Sequence, residues 1–92
     1  MSLNGSIAVS LAGRDKGRVF IIVGVLDENH VLIADGRKRK IEKPKRKKLK
    51  HLRAVGIADT EEEALIGNGR LTNKTAAKIT ASYHDVLNNK KE

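Results

Sequence analysis

Residues 7–11, IAVSL, alternate apolar and polar at period two, which predicts a strand with one buried face. The next apolar run, VFIIVGVL over 19–26, is rich in β-branched residues and too short for a typical helix. It predicts a buried strand, with Gly24 at a bulge or a close backbone approach. Between the two, GRDKG (13–17) sets a glycine at each end of three charged residues, which is turn chemistry. DENH (27–30) reads as a hairpin connection and VLIAD (31–35) as the third strand, closed by Gly36.

The pattern then weakens. In KRKIEK (38–43) only Ile41 is apolar, so a fourth strand there would be mostly solvent-facing. Pro44 cannot donate to a ladder and ends it. KPKRKK becomes a connection, and LKHLRAV (49–55) the last strand. In that strand Leu49 and His51 share one face, Leu52 and Ala54 the other. Apolar positions on both faces point to a twisted or bulged strand in a closed barrel. Four or five short antiparallel strands joined by tight turns predict a mainly β fold, a small barrel formed by residues 1–57.

Residues 58–92 read as a helical extension. Asp59 or Thr60 can cap a first helix, and Thr60 with Glu63 has capping-box spacing. GNG (67–69) breaks it. Thr72 can cap a second helix, in which Ala76, Ile79, Tyr83 and Val86/Leu87 fall on one face.

Ninety-two residues suit one small domain. There is no cysteine, so no disulfide framework and no thiolate metal site. No apolar run approaches the ~20 residues of a membrane span. SIAVSLAG (6–13) is short and not preceded by a basic residue, unlike a signal peptide. A soluble, cytoplasmic protein without a membrane partner is expected.

Charge changes the picture. The formal net charge is +8, and it is unevenly placed. Residues 7–57 carry fourteen basic and five acidic residues, whereas 58–92 carry five and six. In GRKRKIEKPKRKKLKHLR (36–53) eleven of eighteen residues are Lys or Arg. Such a balance implies a polyanionic partner. Ile41, Leu49 and Leu52 need a core and Pro44 stiffens the chain, so this run is an ordered basic edge and not a disordered tail. Phe20 and Tyr83 are the only aromatics, both at core-type positions. Binding by base stacking on rings is therefore excluded as the main mode, and phosphate contact and shape remain.

The stretch 7–36, with Gly13, Arg14, Asp15, Lys16, Gly17 and Arg18 in its first loop, resembles a KOW motif. Asp35-Gly36, Lys43-Pro44-Lys45-Arg46-Lys47 and Lys50-His51-Leu52 extend the likeness over residues 7–55. The group it resembles is that of small bacterial KOW-domain RNA-binding proteins, similar to KOW-bearing large-subunit ribosomal proteins of archaea and eukaryotes. The resemblance implies an SH3-like β-barrel and RNA binding.

With that resemblance, Arg14, Lys16 and Arg18 are assigned to phosphates, with Gly13 and Gly17 supplying loop geometry. A plain hairpin loop with solubilising charges is the competing reading. Along the basic run, Arg37, Arg39, Lys43, Lys45, Arg46, Lys47, Lys48 and Lys50 are the candidate RNA contacts. Neighbours on a strand face opposite ways, so about half of the run can meet one groove. Neutralising about five phosphates gives a log–log salt slope on the order of −4. His51 can stack on or hydrogen-bond RNA; a half-buried barrel histidine explains it equally well.

Three scattered histidines without cysteine do not make a structural zinc site. Helix capping explains Glu61–Glu63 more simply than cation binding. The GxxxxGK[ST], Gly-x-Ser-x-Gly and His-Glu-x-x-His patterns are absent, and nothing marks a base for Ser10 or Asp15. No catalysis, cofactor or metal is expected. The reading is a monomeric RNA-binding protein, contacting ribosomal or other structured RNA and by extension the large ribosomal subunit. Two alternatives are a KOW-type protein-interaction module of the transcription or translation machinery and a non-specific DNA binder.

Overall fold

The computed structural model describes residues 3–57 and 71–89. Five antiparallel strands form one sheet in the order β4-β3-β2-β1-β5: β1 (Ser6–Ser10), β2 (Val19–Val25), β3 (His30–Ala34), β4 (Lys45–Lys48) and β5 (Leu52–Ile57). A helix, α1 (Asn73–Asn89), follows. The helix expected from Asp59 or Thr60, and its break at GNG, lie outside the described residues.

The connection between β4 and β5 dictates the sheet's shape. These strands are opposite edges of the sheet, yet only a single 3-10 turn, Leu49–His51, joins them. In a flat sheet, four spacings of about 4.8 Å would part the edges by about 19 Å. Three linking residues reach at most roughly 14 Å when extended, and a 3-10 turn reaches much less. The sheet must therefore curl into a small barrel, which brings its two edges together.

Both faces of β2 are buried, which is why its sequence does not alternate. Phe20 and Ile22 point inward to Val31 and Ile33, and Leu49 and Leu52 close that inner core. Val19 and Ile21 point outward with Ile7, onto Ala76, Ile79 and Leu71. The helix thus lies on the outer sheet face, with Tyr83 and Leu87 continuing its apolar stripe. Thr72 caps it: its hydroxyl oxygen accepts the Thr75 N–H at 3.2 Å.

Two irregularities follow the expected glycine and barrel chemistry. The β2–β3 register shifts between Ile22 and Gly24, where a Cβ on Gly24 would lie 3.2 Å from Leu32 Cδ1. The β1–β5 register shifts so that Ile7 pairs with Gly56 and Ala8 with Ala54. Val55 is the extra residue, and the bulge turns it outward onto the helix-side core.

Two strand boundaries differ from the sequence-based expectation. The fourth strand lies after Pro44, at Lys45–Lys48, and not at 38–43. Residues 36–43 instead form bends and turns, held by hydrogen bonds that periodicity does not report. The last strand starts at Leu52, because Leu49–His51 must make the turn that closes the barrel.

Candidate nucleic-acid interface

The GRDKGR loop is a tight extension of the β1–β2 hairpin. The Gly17 N–H donates to the Ser10 carbonyl at 2.8 Å and the Ser10 N–H to the Arg18 carbonyl at 2.9 Å. Gly13 and Gly17 take φ of +84° and +86°, the left-handed region that side chains disfavour. The result is a loop that turns Asp15 inward while Arg14 and Lys16 stay exposed.

Asp15 is the anchor of the loop. Its Oδ1 accepts hydrogen bonds from Ser10 Oγ at 2.7 Å and Lys47 Nζ at 2.9 Å, and its Oδ2 from Lys45 Nζ at 3.1 Å. Lys47 Nζ also donates to the Ala12 carbonyl at 3.1 Å. Burial alone would raise the carboxyl's pKa. The bonds from Ser10, Lys47 and Lys45, with the Lys47 charge, outweigh it and hold Asp15 well below the ordinary carboxylate range. Asp15 is therefore ionised wherever the loop is folded at neutral pH.

Strand alternation explains which lysines take part. Lys45 and Lys47 pair with Ile33 and Val31 in register, on the inward face. Arg46 and Lys48 pair with Leu32 and His30 and face outward, exposed. Lys47, at 8% exposure, thus has its ammonium committed to Asp15 and Ala12 and serves as a strut of the loop. Lys45 is half-buried at the rim and reaches both Asp15 and the groove beside it.

A second anchor shapes the turn after β3. Asp35 Oδ1 accepts the backbone N–H groups of Arg37 and Arg39, each at 2.9 Å. Gly36, at φ +78°, sits against the helix start: a Cβ there would collide with the Asn73 carbonyl and the Ala77 nitrogen. Asn73 Oδ1 accepts the Ile41 N–H at 2.8 Å, and its Nδ2 donates to Glu42 Oε1 at 2.7 Å. The turn carrying Arg37, Lys38, Arg39 and Lys40 is thus pinned from both sides.

These two anchors bring the loops together. Arg14, Arg18, Lys38, Arg39 and Lys45 line one depression of about 320 Å³, with Phe20 and Asp15 beneath. An adjoining depression of about 400 Å³ shares Arg18 and Lys38 and adds Arg37. The remaining candidates lie elsewhere. Lys48 and Lys50 line a separate hollow with Asn29 and His30. Lys16, Lys43 and Arg46 are exposed outside all three. His51 is half-buried, and its carbonyl accepts the Leu11 N–H at 2.8 Å.

Sequence reasoning missed Asp15 as an anchor and Asn73 as a clamp, and it named Lys38 only as one cation of the basic run. A carboxylate between flanking cations in a glycine-bounded loop was a faint signal for Asp15. The lysine partners of Asp15 and the partners of Asn73 stand thirty or more residues away, beyond any local pattern.

No family model matches the chain. The chain is 36% identical over 76 residues to "Large ribosomal subunit protein eL14" of Staphylothermus marinus, covering 74% of this chain and 79% of that protein. It belongs to the eL14 family. The eL14 protein of Desulfurococcus amylolyticus is 34% identical over the same shares of the two chains. "Putative ribosome-binding protein YbzG" of Bacillus subtilis is 36% identical over 62 residues, covering 66% of this chain and 84% of that one. The KOW resemblance of residues 7–55 agrees with this family. The eL14 match covers 74% of the chain, so it extends beyond residues 1–57.

Proposed function

We propose that this protein binds structured RNA of the ribosome through the groove between the GRDKGR loop and the turn after β3. The convergence of Arg14, Arg18, Lys38, Arg39 and Lys45 on one depression carries this reading. Two loops more than a dozen residues apart are each built on an inward carboxylate, so their cations stand on fixed backbone. Preformed cations lose less conformational entropy on binding than a floppy tail would.

The chemistry is phosphate recognition. Guanidinium groups can make paired hydrogen bonds to phosphate oxygens. An RNA duplex hides its base edges in a deep, narrow groove, so backbone and 2′-hydroxyl contacts dominate. Sequence preference is weak in this mode, and shape selects the site. The family's ribosomal and ribosome-binding names support the large subunit as the place of action. Binding, not catalysis, is the activity.

The protein-interaction alternative would use the apolar stripe of α1 as a docking face. That stripe is spent on the barrel through Ala76, Ile79 and Tyr83. Sedimentation of native lysate at low and moderate salt tests the proposal. Co-migration with the large subunit that survives moderate salt is expected. Free protein at both salts, or stronger competition by duplex DNA than by structured RNA, would refute it.

A further inference from the structure

Resting on the RNA-binding reading, we infer that the depression between the helix and the basic turn is a subsite for one nucleotide extruded from an RNA helix. The site is composite. Arg18, Arg37 and Lys38 come from the two barrel loops, whereas Ala81, His84 and Asp85 come from α1. Its volume of about 400 Å³ suits a small ligand at the lower end of the range for such sites, about 300–1,000 Å³.

The lining matches the parts of a nucleotide. Three cations on the loop side fit the phosphates flanking an extruded residue. Ala81 offers a small apolar surface to the flat face of a base, above buried Val19. Guanidinium planes can stack on a base where aromatic rings are lacking. At the helix side, Asp85 supplies hydrogen-bond acceptors for a base edge. Asp35 also borders the site, but its Oδ1 already accepts two backbone N–H groups. The other depression shares Arg18 and Lys38, so a backbone lying in the groove would pass directly over the opening.

Regular duplex would leave this site empty. RNA with a bulge or splayed loop would fill it, so the subsite turns a general phosphate binder into a reader of helix irregularities. It also gives the helical extension a direct part in binding.

The test compares a fully paired RNA hairpin with the same hairpin carrying one bulged nucleotide, using the full chain. The bulged hairpin is expected to bind about tenfold tighter. Ala81→Leu, which sets a branched side chain in the path of the base, should bring the two to parity and leave paired-hairpin affinity unchanged. Fluorescence of 2-aminopurine at the bulge should change on binding to the unaltered protein, which decides the matter even if the variant does not fold. Equal affinity for both hairpins, a preference that survives Ala81→Leu, or an unresponsive probe would overturn the subsite. In those cases retained binding of the paired hairpin would leave the RNA reading intact. Binding of neither hairpin would overturn both.

Discussion

The Asp15 carboxylate accepts a hydrogen bond from Lys47 Nζ at 2.9 Å, although the two residues are thirty-two positions apart. The pair joins β4 to the β1–β2 loop, and so fixes one bank of the basic groove to the barrel. Both members are at least nine-tenths buried. Removing Lys47 leaves the buried Asp15 with only the rim cation Lys45 and the Ser10 hydroxyl, at a cost toward the low end of the about 3–5 kcal/mol for breaking a buried pair. Lys47→Met is expected to destabilise the fold by about 3 kcal/mol in urea melts, whereas Arg46→Met on the outward face should change it by less than about 0.5 kcal/mol.

The same pair predicts an acid response. Asp15 has its carboxyl held below the ordinary range in the folded state. A depressed folded pKa gives stability that is fully present above the unfolded value of about 3.9 and is lost as pH falls through the folded one. Stability should therefore decline below about pH 4, as the unfolded chain takes up the proton first. Asp15→Asn should be less stable at neutral pH and show a shallower decline below pH 4, read from melts across an acid series.

Gly36 tests the seam between barrel and helix. Its positive φ and the closeness of the Asn73 carbonyl leave no room for a side chain. Gly36→Ala is expected to cost more than about 1 kcal/mol and to push the basic turn away from α1. Hydrogen exchange should report this as faster exchange at Ile41, whose N–H is held by Asn73. Unchanged exchange there would argue against the seam.

Groove cations should be separable from surface cations by salt. Arg18→Ala with Arg39→Ala is expected to lower affinity for structured RNA and to reduce the salt slope by about 1.5. Lys74 and Lys78 lie exposed on the helix and line none of the three depressions described here. Changing both to Ala should leave the slope unaltered, so equal effects in the two variants would count against a shaped groove.

Helix capping is a local matter and can be tested as one. Thr72→Ala removes the acceptor of the Thr75 N–H and should cost about 1 kcal/mol. The loss should appear as lower helical circular dichroism on warming, ahead of barrel unfolding.

Much of the fold was decided within short stretches of the chain. Period-two alternation marked β1, the unbroken aliphatic run marked a strand buried on two faces, and the glycines marked the first loop and the β2 bulge. Thr72 and the spacing of Ala76, Ile79 and Tyr83 marked the helix and its buried face. Each of these signals is local, because strand and helix periods are set by neighbouring residues. The basic run was different. Eleven similar cations in eighteen residues carry almost no apolar pattern, so nothing local showed that Lys45–Lys48 is a strand or that Lys47 points inward. Only the closed barrel decided that. Curling set β4 opposite the first loop, gave Lys47 a carboxylate to pair with, and brought Arg18 and Arg39 to one groove. Charge in the sequence marked the first half of the chain as strongly basic, and the packing of distant loops decided which of those charges face one groove.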